Sequence, residues 1–507
     1  MNRGPGRATK WYALALAGAA SSLHAAEAPL TECRVPGIRH SVQCGVVQRP
    51  LDPARPAGTM IDVHFVVVPA MARRKLPDPV FVLAGGPGQS AIGIAPSTLP
   101  LFSRLNNRRD MVFVDQRGTG RSAPLVCAET RSEPLADQAD PDRQFERLMA
   151  CQEALLTLPY IRAPSDLGLF TTTIAVQDLD AVRRQLAAPR INLVGVSYGT
   201  RAALEYMRQF PAAVRRSVLD AVAPPDMELP ASFSTDGQAA WDALLRFCER
   251  DTVCHGRYPA LRADWAALLK SLPKPASATH PLTGAPEQFR LTREMVLGAV
   301  RGALYSPAVA AALPAAITEA ARGRYEGLVG IGALLASRKS IQPAMGMHFS
   351  VVCAEDVPRL TDAGYSSFTG PNRAATSNPP GTDFGTDQAA LYQRVCARWP
   401  RGEVPAAFYR VPPSAAPALL FSGGVDPVTP PRHGKRIAMA LGPTARHVVV
   451  PNAGHGVMGV GCARDVIYRF IDATEDGDAT VVDASCLKAM PRPLVFQPVG
   501  LAVEAPK

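Results

Sequence analysis

The sequence has no C-x-x-C and no H-E-x-x-H, although it contains ten cysteines and nine histidines. Without thiolate pairs or histidines at helical spacing there is no ligand set of the kind zinc takes, and no metal or other cofactor is expected. It has no run of lysine or arginine either, and no aromatic residues interleaved with basic ones. The 54 Lys and Arg residues are scattered among 44 Asp and Glu, so the net charge of +10 describes a solvated basic surface. A nucleic-acid partner is excluded on that ground. Beyond the N-terminal segment no stretch approaches the roughly 20 apolar residues needed to span a membrane, and no internal repeat is present.

The N-terminus combines Arg3, Arg7 and Lys10 with an apolar stretch over 11–20 and small residues up to Ala25 and Ala26. This is the pattern of a secretory signal peptide over residues 1–26, and it is too short for a membrane anchor. A secreted or periplasmic protein is therefore expected. The cysteines are even in number and none lies in that segment, which suits disulfides in an exported chain. Spacing does not fix connectivity, but neighbouring couples are expected: Cys33–Cys44, Cys127–Cys151, Cys248–Cys254, Cys353–Cys396 and Cys462–Cys486.

With 507 residues, 47% of them hydrophobic, the chain can bury a large core, as one big domain with an insertion or as two domains. Residues 42–47 and 60–68 read as strands forming an antiparallel sheet edge. Continuous apolar strands follow at 79–83 and 110–114, then a helix over 172–186, a strand from Ile191, a helix, and a strand over 217–222. That alternation predicts a parallel α/β sheet. From 224 to 413 the pattern changes to helical segments with Pro/Gly/Ser breaks at 272–284 and 369–385, which predicts a mostly helical cap inserted between two strands. Sheet patterning resumes with strands at 418–422 and 447–450 and a closing helix over 463–471. The expected core is thus 27–223 together with 414–507.

The stretch Ile-Asn-Leu-Val-Gly-Val-Ser-Tyr-Gly-Thr at 191–200 holds the main chemical signal. An apolar strand turning at once into a helix must bend sharply. Gly195 and Gly199 make room for that bend, leaving Ser197 at its tip beside the free N–H groups of the following helix. Two more strand ends carry residues that could act on it: Asp426 in Gly-Gly-Val-Asp-Pro-Val-Thr and His455 in Pro-Asn-Ala-Gly-His-Gly. A serine hydroxyl is a poor nucleophile until a base takes its proton. His455 can do so near neutral pH, and a carboxylate such as Asp426 would hold the imidazole in the required tautomer. Functional groups gather at the carboxyl ends of strands in such sheets. Asp220, after the next strand, is the rival acid. His447, His433, His64 and His348 are expected in strand, helix or apolar surroundings. The turn at 115–122 reads as structural, with Asp115 and Arg117 satisfying backbone groups and each other.

Gly-Gly-Pro-Gly at 85–88, Asp-Gln-Arg-Gly-x-Gly-x-Ser at 115–122 and Gly-x-Ser-Tyr-Gly-Thr at 195–200, with the order Ser, acid, His, resemble the proline iminopeptidase family of α/β-hydrolases. The large insertion and the ending Cys462…Asp483-Ala484-Ser485-Cys486 are similar to its exported branch, the tripeptidyl aminopeptidases with a TAP-like C-terminal region. The resemblance implies an α/β-hydrolase fold with a mostly parallel, eight-stranded sheet and a serine aminopeptidase activity on short peptides with a free N-terminus. It also implies an oxyanion hole from the backbone N–H groups of Tyr198 and of Gly86 or Gly85. The family has histidine where this chain has Ala84. An aminopeptidase needs acidic groups for the substrate ammonium, and Val-Cys-Ala-Glu-Asp at 352–356 resembles a Cys-x-acid motif of the exported branch. Glu355, with Asp356 second, is the expected anchor. Two other readings remain open: a carboxylesterase with the same triad, and a non-catalytic binding protein on a hydrolase scaffold.

Overall fold

The structure, a computed structural model, describes residues 1, 29–336, 342–361, 382–385 and 387–497. The body of the expected signal segment and most of the break expected at 369–385 lie outside them. Three antiparallel strands come first, β1 (Thr31–Cys33), β2 (Val42–Pro50) and β3 (Met60–Val68). They lead into β4 (Val80–Leu83), β5 (Met111–Val114), β6 (Ile191–Val196) and β7 (Val214–Asp220). A separate hairpin follows, β8 (Lys274–Thr279) and β9 (Pro286–Leu291), before β10 (Ala418–Gly423) and β11 (Ala445–Val450). The main sheet runs β1-β2-β3-β5-β4-β6-β7-β10-β11 and is parallel from β5 onward.

β4, β5 and β10 are buried at every residue. Uninterrupted apolar strands like these require cover on both faces, which parallel sheets obtain from the helices of their crossovers. Side chains alternate accordingly: Val80 and Val82 pack with Val466, Ile467 and Phe470, whereas Phe81 and Leu83 pack with Val176, Leu204 and Ile437. Each such side chain removed from water stabilises the fold by about 1.5–3 kcal/mol, and a one-residue slip would exchange the two faces.

Two expectations need correction. The sheet has nine strands rather than eight. The extra strand, β1, is three residues of Thr-Glu-Cys with no apolar run to reveal it; it pairs Cys33 with Val42 in β2, and the Cys33–Cys44 disulfide fastens it. In the turn at 115–122, Arg117 bonds Asp178 at 2.7 and 3.0 Å and the carbonyl of Leu51 rather than Asp115. Asp115 instead accepts from Ser90 Oγ and the N–H groups of Ile92 and Arg121. No local pattern could show that Arg117 meets a residue 61 positions away.

Between β7 and β10 the chain forms helices, among them Leu229–Arg250, Arg293–Leu304, Met345–Glu355 and Asp387–Cys396, together with the β8–β9 hairpin. They have a core of their own, in which Trp241 packs against Trp265 at 4.8 Å between ring centroids. The helices Met345–Glu355 and Asp387–Cys396 belong to a different cluster, where Met347, Phe349 and Tyr392 join Phe170 and Tyr198 from the sheet side. All five expected cysteine couples form disulfides, and no free cysteine remains among the described residues. Among those residues no helix is long and apolar enough to cross a membrane.

Candidate active site

β6 ends at Val196, and the helix Tyr198–Gln209 begins two residues later. Only one residue is left to reverse direction, and Ser197 does so at φ 56° and ψ −125°. A side chain in that region costs on the order of 1–3 kcal/mol, and the surroundings hold it there. The Ser197 N–H donates to the Asp220 carbonyl at 2.9 Å, and the Ser197 carbonyl accepts from the Thr200 hydroxyl at 2.6 Å. A Cβ on Gly195 would strike the Gly199 carbonyl, and one on Gly199 the Leu83 carbonyl, so both positions require glycine.

Asp426 and His455, at the ends of β10 and β11, come together. The imidazole Nδ1 lies 2.9 and 3.1 Å from the two carboxylate oxygens, so Nδ1 carries the proton and Nε2 is left as the basic nitrogen. Asp426 also accepts from the N–H groups of Val428 and Thr429 and from the Thr429 hydroxyl, at 2.8–2.9 Å. Burial pushes the Asp426 carboxyl upward, but the His455 charge and these donors outweigh it and hold it below its ordinary value. For His455 burial pulls downward, and the Asp426 charge and hydrogen bond overcome it to raise the imidazole. The rival acid, Asp220, does not touch the ring. Its Oδ2 accepts from the N–H groups of Val457 and Met458 at 2.7 and 2.8 Å, bracing the loop that carries His455, and burial pushes its carboxyl up to about 6. The insertion braces the same loop: the His455 N–H donates to the Tyr305 carbonyl at 2.8 Å, and the two rings meet edge on at 5.0 Å.

The Gly-Gly-Pro-Gly loop is held from the insertion as well. The Ala344 N–H donates to the Gly88 carbonyl, and His348 Nδ1 lies 3.3 Å from the Pro87 carbonyl while its Nε2 lies 2.8 Å from the Tyr392 hydroxyl. A carbonyl only accepts, so Nδ1 donates and Nε2 takes the tyrosine proton. Burial pushes His348 down to about 4, which keeps it in this neutral form. His348 therefore supports the loop where Ala84 offers no polar side chain. Ser197, Gly86, Tyr198, His348, Tyr305 and Thr429 all line one cavity of about 50 Å³.

Glu355 and Asp356 lie elsewhere than an exposed anchor would. Both are fully buried and face Arg201, on the helix after Ser197. Asp356 takes both guanidinium ends at 2.9 Å, and Glu355 accepts from the Thr172 N–H and hydroxyl at 2.7 and 3.0 Å. The Thr172 hydroxyl in turn meets the Tyr198 hydroxyl at 2.7 Å. Arg201 was invisible as a partner in sequence, since 155 positions separate it from Asp356; only its place among small residues on a buried helix hinted at a role. Breaking such a buried pair leaves uncompensated charge. Arg201→Met is therefore expected to cost about 3–5 kcal/mol of folding stability in urea titration; a loss below about 1 kcal/mol would contradict that role. Burial pushes Glu355 up to about 7. Its raised pKa favours folding at acid pH, and that contribution is lost as pH rises through about 7.

A nucleophile-type elbow, an Asp–His pair and glycine-rich backbone N–H groups at adjacent strand ends form the arrangement that acyl transfer uses. Residues 78–278 match the family model of the alpha/beta hydrolase fold, and the chain has that fold. Residues 381–486, which include Asp426, His455 and the Cys462–Cys486 disulfide, match the model of TAP-like protein. The chain thus has an α/β-hydrolase fold whose C-terminal part matches TAP-like protein. The chain is 24% identical to serine protease Hip1 of Mycobacterium tuberculosis over 432 residues, 81% of this chain and 80% of that protein. It is 31% identical to the tripeptidyl aminopeptidase of Streptomyces coelicolor over 197 residues, 37% of this chain and 36% of that enzyme. Among solved structures, the proline iminopeptidase of Mycobacterium smegmatis aligns over 81% of this chain and 91% of its own, at TM-score 0.36 and 15% identity.

Proposed function

We propose that this protein is an exported serine aminopeptidase that removes N-terminal residues from short peptides through an acyl-enzyme. The observation that carries the reading is the His455–Asp426 pair, at 2.9 Å, together with the constrained Ser197 elbow. In this mechanism Ser197 Oγ attacks the peptide carbonyl as its proton passes to His455 Nε2. The developing oxyanion is held by the N–H groups of Tyr198 and Gly86; Tyr198 is the first residue of its helix, so its N–H has no intrahelical partner. His455 then protonates the leaving amine, and water repeats the sequence on the ester to free Ser197. Asp426 holds the tautomer and stabilises the imidazolium. Relatives named serine protease and tripeptidyl aminopeptidase support the peptidase class, and five disulfides suit an oxidising compartment.

Glu355 and Asp356 are engaged by Arg201 and Thr172, so their part in this reading is to fix the helix behind Ser197. The ammonium anchor then falls to Glu294, an exposed carboxylate lining a second cavity of about 430 Å³ that shares Phe233 with the reactive one. Volumes of this size accommodate small ligands.

The test is a matched set of anilides, Pro-, Ala-Ala-Pro- and N-blocked Ala-Ala-Pro-, alongside a short acyl ester. The expected result is cleavage of at least one free-amine anilide and a fall of about tenfold or more in kcat/KM on blocking, the scale of one charged contact at about 1.4 kcal/mol. Cleavage of the ester alone would overturn the peptidase reading in favour of a carboxylesterase.

A further inference from the structure

Arg301 stands at the junction of the two cavities. It projects from the helix Arg293–Leu304 into the larger one, and its guanidinium lies 3.5 Å from the ring centroid of Phe233, the residue common to both. Its Nη1 donates to Gln388 at 2.8 Å, a neutral acceptor, and its Nε is buried without a partner. Among the described residues no carboxylate forms an ion pair with it. Arg201, the other arginine lining these cavities, is neutralised by Asp356 and Glu355. Glu294, on the same helix face, is seven residues away, about 10 Å along the axis, too far to pair. Arg301 is also near enough to the reactive centre for its charge to oppose protonation of His455.

A guanidinium resting on an aromatic ring and lining a cavity, without a carboxylate partner, is suited to a planar carboxylate. Leaving such a charge uncompensated beside a catalytic imidazole is costly, and the missing counter-charge can come with the substrate. We propose that Arg301 determines specificity by binding a substrate carboxylate next to the scissile bond. This rests on the peptidase reading above. The carboxylate has two possible sources: an Asp or Glu side chain on the acyl side, or the free α-carboxylate of the released residue. The larger cavity is lined by Arg301, which rests on the shared Phe233, and by the exposed Glu294 about 10 Å away along the helix, charges that match a short peptide carrying its acid at one end and its ammonium at the other.

The experiment compares kcat/KM for Ala-Ala-Glu-anilide with Ala-Ala-Gln-anilide, and for tetra-alanine with its C-terminal amide, in the wild type, Arg301→Met and Arg301→Lys. Ratios within one variant cancel any change in folded fraction. The expected wild-type ratio is about tenfold or more in favour of the acid in one arm, and that arm identifies the source of the carboxylate. It should fall to near one in Arg301→Met and stay above one in Arg301→Lys. Ratios near one in both arms for the wild type, or a preference that survives in Arg301→Met, would overturn the proposal while leaving the peptidase reading intact. A wild type that cleaves the short acyl ester but none of these peptides overturns both.

Discussion

Ser197→Ala is expected to lower kcat/KM on every substrate by about 10⁴–10⁶-fold, the scale on which removal of a triad nucleophile acts. In the proposed reaction the hydroxyl forms the covalent bond, and among the described residues no other serine lines the reactive cavity. The residual rate would come from the backbone N–H groups of Tyr198 and Gly86 and from substrate binding, which survive the change. Alanine keeps a Cβ at φ 56°, so the backbone penalty remains and thermal stability should change little. Ser197→Gly should be equally inactive but more stable, because glycine occupies that region without the penalty of about 1–3 kcal/mol. Steady-state kinetics with parallel thermal melts check both halves. An alanine variant retaining more than about a hundredth of wild-type kcat/KM would contradict the assignment, since that loss corresponds to only about 2.7 kcal/mol of transition-state stabilisation.

The second large effect separates the two acids. Asp426→Asn is expected to cost about 10⁴-fold in kcat, because an amide can donate to Nδ1 and so favours the tautomer with the proton on the wrong nitrogen. Asp220→Asn should cost far less, because its remaining carbonyl oxygen can still accept from Val457 and Met458. The pH profile carries the sign of the same interaction. The proposed mechanism needs neutral His455, whose pKa Asp426 raises above the ordinary histidine value. Activity should therefore fall as pH drops through that raised pKa, and the acid limb should move to lower pH in Asp426→Asn. If Asp220→Asn were the variant that lost both rate and limb, the roles of the two acids would be reversed.

The elements that place these groups were legible because each is a local pattern. Ile191–Val196 is a short, mostly apolar run, Gly195-x-Ser197-x-Gly199 is a turn that only small residues permit, and β10 and β11 each end in a glycine-containing loop. Glycines that a side chain would drive into a neighbouring carbonyl leave a mark in sequence; so do strands covered on both faces. Long-range pairing leaves none. Glu355 and Asp356 read as an ammonium anchor because nothing within ten residues reveals Arg201. His348 likewise read as a histidine in apolar surroundings, whereas it bridges Pro87 of the Gly-Gly-Pro-Gly loop and Tyr392. β1 was missed for a different reason: three residues carry no periodicity, and its place at the sheet edge depends on a disulfide partner.

These differences concern the surroundings of the reacting groups more than the groups themselves. The insertion reaches the reaction centre through backbone and side-chain contacts from Tyr305, Ala344 and His348. In the proposed reaction these contacts help to set the acyl-transfer geometry.

The most direct test is to treat the folded protein with a fluorophosphonate and map the product by mass spectrometry. One adduct per chain, on the peptide containing Ser197 and absent from Ser197→Ala, is the expected result. No adduct on the wild type, or one on a different residue, would contradict the assignment of Ser197 as the nucleophile and with it the proposed reaction.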